Sequence, residues 1–213
     1  MRKEGHRPIL IVIAGPNGSG KTTVTHQLLK SDWIEDAIYI NPDQIAQEKF
    51  GDWNSKEAVY EAAKFCEKLR EDCLIKRKSL IFETVLSAPD KLDYIARAKQ
   101  AGYFIRIFFI STKNPTINAA RIANRVMKGG HDVPIPKIIS RYSKSIANCS
   151  AIAKKVDRLY VYDNSAENKK LKPLFRLTNG VLGKKYIENV PEWARNILPE
   201  TDEIQIQNSK LSD

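Results

Sequence analysis

The chain has 213 residues, of which 42% are hydrophobic and 28% are charged, and its formal net charge is +10. These values are typical of a soluble globular protein large enough for one sizeable core, so we expect a single domain over residues 1–213. No apolar run approaches the roughly 20 residues that a membrane helix needs, and residues 1–8 lack the apolar core of a signal peptide. We therefore expect a cytoplasmic protein without a membrane partner.

Short apolar runs alternate with helical patterns along the chain, which predicts an α/β fold. We expect a mainly parallel, five-stranded sheet with helices on both faces. The predicted strands cover residues 9–14, 37–40, 80–82, 104–110 and 158–162, and the predicted helices cover residues 55–78, 89–101, 115–127 and 136–153. The Asn179-Gly180 dipeptide predicts a small hairpin in a C-terminal extension, residues 166–213, whose polar end from residue 200 should be frayed.

The predicted helix over residues 55–78 is amphipathic, and its spacing turns one apolar face toward the core. The residues on that face are Val59, Ala62, Ala63, Cys66, Leu69 and Cys73. The chain has three cysteines without a C-x-x-C pair, and this odd number argues against a disulfide framework. We therefore expect Cys66 and Cys73 to act as small hydrophobic residues of the core.

The segment after the first predicted strand carries a phosphate-binding signature. Residues 15–22 fit the pattern G-x-x-x-x-G-K-[ST] between a strand and a helix, which is the context that this pattern requires. We expect its backbone N–H groups to surround a phosphate, Lys21 to reach the β- and γ-phosphates, and the Thr22 hydroxyl to ligate Mg²⁺. The sequence thus predicts a P-loop NTPase fold and a nucleoside triphosphate site made of Gly15, Pro16, Asn17, Gly18, Ser19, Gly20, Lys21, Thr22 and Thr23.

Acidic residues follow three predicted strands, at the edge where ligands bind in open α/β sheets. Asp43 is the candidate base for an acceptor hydroxyl in a phosphoryl transfer, and the alternative is that it caps a helix beginning at Gln44. Glu83 either holds Mg²⁺ through a water molecule or binds a substrate hydroxyl, and the alternative is a buried carboxylate satisfied by backbone amides. Thr84 either binds substrate or completes the turn, and the Asp163 loop either lines a base pocket or forms an ordinary turn.

Two successive helices form the most basic part of the chain, residues 114–158, with nine Lys or Arg against two Asp. Arg121 and Arg125 share one face of the first helix, and Arg141 lies on the second. A glycine pair separates the helices, which predicts a lid, residues 114–153, that closes over the triphosphate. Its arginines would neutralise the charge of the transferring phosphoryl group, and the alternative is a set of surface arginines in weak ion pairs.

These motifs, in this order, resemble the zeta-toxin family of P-loop kinases. The resemblance covers residues 8–166 and rests on segments 15–23, 41–43, 82–84, 121–126, 129–134, 141–142 and 163–165. Many families share the phosphate-loop pattern, whereas its combination with Gly-Gly-His-Asp-Val-Pro between the lid helices is more specific. This form of the lid is typical of short, stand-alone relatives described only as predicted ATPases.

The resemblance implies an ATP- and Mg²⁺-dependent kinase that phosphorylates the 3′-hydroxyl of a UDP-N-acetylhexosamine, and many relatives are paired with a small antitoxin protein. By this resemblance Asp43 is the base, Lys21 and the lid arginines hold the phosphates, and Glu83 helps to bind the sugar with Thr84 beside it. Arg141 is our choice for the second phosphate-binding arginine.

Two alternatives to a nucleotide-sugar kinase stay open at this point. The basic lid would also suit a polynucleotide or RNA kinase, although the sequence shows no interleaved aromatic and basic residues of the kind that single strands prefer. A third reading is an ATP-binding switch that acts through a protein partner. Replacement of Asp43 by Asn would leave the biological activity of such a switch intact.

Overall fold

The structure is a computed structural model that describes residues 7–30, 36–51, 55–130, 132–167 and 170–199. His131 of the Gly-Gly-His-Asp-Val-Pro segment and the predicted frayed end from residue 200 lie outside these described residues. No helix within the described ranges is long and apolar enough to cross a membrane.

Strands and helices alternate through most of the described chain. The strands are β1 (Ile9–Ala14), β2 (Ile38–Ile40), β3 (Leu80–Thr84), β4 (Phe104–Ser111), β5 (Arg158–Asp163), β6 (Lys172–Thr178) and β7 (Val181–Lys185). The helices are α1 (Lys21–Leu28), α2 (Pro42–Phe50), α3 (Lys56–Ile75), α4 (Pro89–Gln100), α5 (Pro115–Val126), α6 (Ile135–Ala153) and α7 (Glu192–Arg195).

The strands form one sheet in the order β2-β3-β1-β4-β5-β6-β7. The first five of these strands are parallel, which confirms the predicted sheet, and β6 and β7 are antiparallel. The predicted hairpin is present, but it extends the same sheet to seven strands. It does so because Leu174, Phe175 and Leu177 are buried in the main core, so β6 must lie against β5.

The core lies on both faces of the sheet. On the face under α3, α4 and α6, Leu10 and Val12 of β1 are buried in the larger cluster. On the face under α1, Ile11 and Ile13 of β1 pack with Val24. Burial on both faces explains why β1 is a continuous apolar run, and it places the segment that follows β1 at the middle of the sheet edge.

The buried face of α3 differs from the predicted one. Cys66 and Cys73 are fully buried, as predicted, but Val59 and Ala63 are exposed. The buried row contains Ala58, Ala62, Cys66, Arg70 and Cys73. The prediction was wrong about Val59 and Ala63 because it counted apolar residues only. A charged residue, Arg70, occupies the core-facing position, with its guanidinium over the rings of Phe82 and Tyr94.

The hairpin turn provides a matched test of this packing. Gly180 and Gly51 have nearly the same positive φ, 78° and 79°. A Cβ at Gly180 would lie 2.9 Å from Lys154 Cα at the end of α6, whereas a Cβ at Gly51 would meet nothing within 4 Å. We predict that Gly51→Ala lowers the free energy of unfolding by about 1 kcal/mol and Gly180→Ala by about 2–4 kcal/mol. Urea denaturation of both variants measures the difference, and equal losses would contradict the packing of the turn on α6.

Candidate active site

A cleft of about 640 Å³ opens at the carboxyl edge of the sheet. The predicted site residues that line it are Asn17, Gly18, Gly20, Lys21, Thr22, Asp43, Glu83, Thr84, Arg121, Arg125 and Arg141. Gly15, Pro16 and Ser19 are the buried residues of the phosphate loop, and Thr23 of α1 is exposed. The structure therefore gathers the predicted base, the phosphate loop and the lid arginines around one cavity.

The phosphate loop is held in shape by two asparagines that the sequence analysis did not single out. Asn118 Nδ2 of α5 donates to the Asn17 carbonyl oxygen at 2.5 Å, and Asn164 Nδ2, after β5, donates to the Ser19 carbonyl oxygen at 2.8 Å. A Cβ at Gly18 would lie 2.7 Å from the Asn118 carbonyl oxygen. Asn164 belongs to the Asp163 loop, for which a base pocket and an ordinary turn were both open, and no local pattern in the sequence separates a turn asparagine from one that supports a distant loop.

Lys21 folds back onto the loop. Its Nζ donates to the carbonyl oxygens of Gly15 at 2.9 Å and Pro16 at 3.0 Å. The residue as a whole is half-buried, but its amino group is enclosed by the loop. Burial lowers the pKa of Lys21 to about 8, and the nearby carboxylates of Glu83 and Asp43 only partly oppose this shift. The negative charge of an incoming phosphate would compensate the positive charge of this buried ammonium group.

Glu83 lies at the end of β3 beside the first turn of α1. Its Oε2 accepts a hydrogen bond from the Thr22 hydroxyl at 3.3 Å, and its Oε1 accepts one from the Tyr39 hydroxyl at 3.0 Å. Its partners are thus hydroxyl groups, so the alternative of a carboxylate satisfied by backbone amides is wrong. Tyr39 was not identified from the sequence, because nothing in a short strand marks a tyrosine that reaches a neighbouring carboxylate.

The donor atoms of Thr22 and Glu83 fit a magnesium ion. A hydroxyl oxygen and a carboxylate oxygen are the hard donors that Mg²⁺ prefers, and in phosphoryl-transfer sites one or two protein groups suffice because substrate phosphates complete the shell. In the described part of the chain, no group of three or more His, Cys, Asp or Glu residues could hold a metal by itself. A Mg²⁺ ion held by Thr22 and Glu83 would take further ligands from the phosphates of a bound nucleotide.

Asp43 is the second residue of α2 and does not cap it. The helix begins at Pro42, and the Asn41 side chain is its cap, accepting hydrogen bonds from the backbone N–H of Asp43 at 3.0 Å and of Gln44 at 3.4 Å. The alternative that Asp43 caps a helix starting at Gln44 is therefore wrong, because Asn at the cap and Pro in the first turn suit those positions better. The Asp43 carboxylate is exposed and lines the cleft.

The lid is formed by α5 and α6 and leans on the phosphate loop. Its helices are joined by a small cluster of Ile122, Val133 and Ile138. Arg141 Nη1 donates to Asn17 Oδ1 at 3.5 Å, which links α6 to the loop. Within the described ranges neither Arg121 nor Arg141 forms an ion pair with a carboxylate. Among the described residues, no carboxylate therefore occupies either of these two arginines in an ion pair.

The remaining predicted residues have structural contacts. Thr84 Oγ1 accepts a hydrogen bond from the Leu86 backbone N–H at 3.0 Å and so completes the turn after β3, while it also lines the cleft. Asp163 accepts hydrogen bonds from the Ser165 backbone N–H at 2.8 Å and from Trp193 Nε1 at 2.9 Å. The Asp163 loop therefore ties α7 to the sheet, as an ordinary turn with a structural partner.

The lowered pKa of Lys21 predicts proton uptake when a nucleotide binds. At pH 8 about half of the free protein carries a neutral Lys21, and a bound phosphate favours the charged form and raises this pKa, so binding takes up about half a proton. Calorimetry of Mg-ADP binding at pH 8, in buffers of different ionisation enthalpy, measures this uptake. Lys21→Arg is the matched control, because arginine stays charged at this pH and should take up none. Equal proton uptake by the native protein and Lys21→Arg would contradict the assignment of this proton to Lys21.

Comparisons with known proteins agree with this geometry. The zeta toxin family profile matches residues 1–172. The chain is 28% identical to an uncharacterized protein of Haemophilus influenzae over 132 residues. This alignment covers 62% of this chain and 91% of that protein. A chain of the AvrRxo1-ORF1:-ORF2 complex has the same fold, with a TM-score of 0.65 at 17% identity over 94% of this chain and 66% of that chain. 

A structure from the PezAT chromosomal toxin-antitoxin system of Streptococcus pneumoniae is similar over 99% of this chain and 88% of that chain, with a TM-score of 0.59 at 16% identity. These structural similarities, at low identity, establish the fold. The family profile covers most of the chain, including the phosphate loop, the acidic strand ends and the lid. The chain therefore belongs to the zeta toxin family and is a P-loop kinase.

Proposed function

We propose that this kinase transfers the γ-phosphoryl group of Mg-ATP to a hydroxyl group of a small molecule, and that the acceptor is a UDP-N-acetylhexosamine. The observation that carries the proposal is the meeting of the phosphate loop, an exposed carboxylate and the lid arginines in one cleft of about 640 Å³. A carboxylate that faces a triphosphate site is placed to receive the proton of an acceptor hydroxyl.

In this mechanism the acceptor oxygen attacks the γ-phosphorus, the bond from that phosphorus to the β,γ-bridging oxygen breaks, and ADP leaves. Asp43 accepts the proton that the hydroxyl loses. Lys21 and the loop N–H groups hold the triphosphate, and Arg121, Arg125 and Arg141 offset the negative charge on the transferring group. Thr22 and Glu83 would hold Mg²⁺, which neutralises phosphate charge when it is bound.

The wall of the cleft beyond Asp43 supports a nucleotide-sugar acceptor. It combines apolar side chains, Val59 and Val85, with the Ser87 hydroxyl and with the ion pair between Lys91 and Asp90. Apolar contacts suit the face of a ring, and hydroxyl and paired charged groups suit the oxygens of a sugar. The exposure of Val59, which contradicted its predicted burial, agrees with a place in the acceptor wall.

A nucleic-acid acceptor is the second candidate. A chain of the Pnkp1/Rnl/Hen1 RNA repair complex shares the fold, with a TM-score of 0.53 at 17% identity over 68% of this chain and 47% of that chain. Against this candidate, the aromatic residues on the α1 face of the sheet stack on one another. The rings of Phe108 and Tyr160 are 4.9 Å apart and nearly parallel, and Tyr162 stacks on the same phenylalanine. Phe108 thus stacks on one face of each tyrosine ring, and that face is not open to a base.

A protein partner is also part of the proposal. The AvrRxo1 structure is of a two-component complex, and PezAT is named as a toxin-antitoxin system. We infer that this chain binds a small antitoxin protein that limits its activity in the cell.

Replacement of Asp43 tests the reaction. We predict that Asp43→Asn lowers the rate of phosphoryl transfer by at least about 10²-fold, because the variant cannot accept the hydroxyl proton, while ADP affinity stays within about threefold. The measurement is ³¹P NMR of protein with Mg-ATP and a panel of UDP-sugars. Glu48→Gln is the matched control, since it removes an exposed carboxylate from the same helix, one that accepts a hydrogen bond from Gln44 Nε2 and is not among the described residues that line the cleft.

A new sugar-phosphate resonance that disappears in Asp43→Asn and remains in Glu48→Gln supports the proposal and identifies the acceptor. If no UDP-sugar gains a phosphate, the acceptor proposal is overturned, and salt-dependent binding and phosphorylation of oligonucleotides become the next assay. If Asp43→Asn retains full biological activity, the protein acts as a nucleotide-dependent switch.

The lid arginines give a separate prediction. We expect Arg121→Ala to lower kcat by about 10²- to 10³-fold with a small change in ADP affinity, because its charge acts mainly on the transferring group. Lys128→Ala is the matched control, since Lys128 is a cation that follows the same helix and is not among the described residues that line the cleft. Steady-state kinetics with the acceptor that the NMR panel identifies measures kcat for both variants. An equal loss of kcat in Arg121→Ala and Lys128→Ala would contradict a specific role for Arg121.

A further inference from the structure

A chain of hydrogen bonds connects the phosphate side of the cleft to the helix that carries Asp43. It runs from the Thr22 hydroxyl to Glu83, from Glu83 to the Tyr39 hydroxyl, and from that hydroxyl to the Asn41 side chain. The Asn41 side chain then accepts the first backbone N–H groups of α2. Tyr39 is the middle member of this series of hydrogen bonds, and the mechanism proposed above gives it no role.

The sheet register explains how Tyr39 reaches Glu83. Tyr39 of β2 lies opposite Ile81 of β3, and Glu83 is two residues further along β3 on the same face. Such diagonal cross-strand neighbours are within reach of a long aromatic side chain. Strand β2 ends at Ile40, so the next residue, Asn41, leaves the sheet just above the Tyr39 hydroxyl.

Each polar atom in this series of hydrogen bonds has a defined partner. The Tyr39 hydroxyl donates to Glu83 Oε1 at 3.0 Å and accepts from Asn41 Nδ2 at 2.8 Å. Because Oε1 is engaged in this way, Oε2 faces Thr22. Burial and the carboxylate of Glu83 raise the pKa of Tyr39 well above its usual value, so the hydroxyl keeps its proton and remains the donor.

We propose that Tyr39 is a positioning residue that fixes the Glu83 carboxylate for Mg²⁺ and, through Asn41, fixes the first turn of the Asp43 helix. The part that concerns Asp43 rests on the proposed function, whereas the part that concerns Glu83 requires only nucleotide and metal binding. Groups that orient a metal ligand in this way commonly change metal affinity by about 10- to 100-fold when they are removed.

The variant Tyr39→Phe keeps the ring and removes only the hydroxyl. Glu83 Oε1 and Asn41 Nδ2 then lose their partner, and the carboxylate is free to rotate away from Thr22. The measurement is the Kd of Mn²⁺, as a probe for Mg²⁺, for the protein saturated with ADP, by electron paramagnetic resonance. Tyr162→Phe is the matched control: this tyrosine lies on the same face of the sheet, and its hydroxyl makes no hydrogen bond with the described residues.

We expect Tyr39→Phe to raise the Kd of Mn²⁺ by at least about tenfold, with metal-free ADP affinity within about twofold of the native protein. The effect should vanish in a Glu83→Gln background, because the tyrosine acts through that carboxylate. Tyr162→Phe should leave both constants unchanged. The proposal is overturned if Tyr39→Phe leaves the Kd of Mn²⁺ within twofold, or if it weakens metal-free ADP binding equally, which would indicate a general structural role.

Asn41→Ser tests the link from Tyr39 to the Asp43 helix and leaves the Tyr39 side chain in place. Serine keeps an oxygen that can cap α2 and loses the amide donor to Tyr39. We expect unchanged Mn²⁺ affinity and a transfer rate at least about fivefold lower, and an unchanged transfer rate would overturn the link to Asp43. If the native protein transfers no phosphoryl group to any acceptor, the proposed function fails, whereas the Mn²⁺ measurements still decide the role of Tyr39 toward Glu83.

Discussion

The close approach of three separate segments to the phosphate loop is the constraint on which the rest of the site depends. A Cβ at Gly15 would lie 1.9 Å from the Ile110 carbonyl oxygen of β4, so this position has room only for hydrogen. Asn118 of α5 and Asn164 after β5 also approach the loop closely, because a Cβ at Gly18 would lie 2.7 Å from the Asn118 carbonyl oxygen and one at Gly20 would lie 2.4 Å from Asn164 Nδ2. The loop that surrounds a phosphate is therefore shaped from outside as much as by its own backbone. Mutations in any of these segments would change the shape of the loop and thereby weaken nucleotide binding.

Charge is distributed unevenly around this loop. Cationic groups come from the loop and the lid, whereas carboxylates come from β3 and α2. Burial is the main cause of the lowered pKa of Lys21, Arg125 of α5 adds a smaller repulsion, and Glu83 and Asp43 oppose the shift. The negative charge of a triphosphate would compensate the buried ammonium group, so the cations that are unfavourable in the free protein would favour binding of an anion.

Patterns that depend on neighbouring residues could be read from the sequence. The phosphate loop, the five parallel strands, the lid helices and the buried Cys66 and Cys73 all follow from spacing and composition over a few turns of chain. Local patterns did not decide which residue caps α2 or which side of α3 is buried, because each pattern allowed two arrangements. Asn41 and Asp43 can both cap a helix, and the choice between them depends on where β2 ends. Val59 is apolar at helical spacing, yet the cleft lies on its side of α3.

The sequence by itself determined that this chain binds phosphate at a P-loop and that acids follow the strands beside it, because both features are encoded by residues close together in the chain. Only the tertiary structure decided which side chains complete the site. Asn118 lies 101 residues from the carbonyl group it holds, Asn164 lies 145 residues from its partner, and Tyr39 lies 44 residues from Glu83. Such pairs are set by strand order, register and helix packing, and these depend on the whole core rather than on any local pattern.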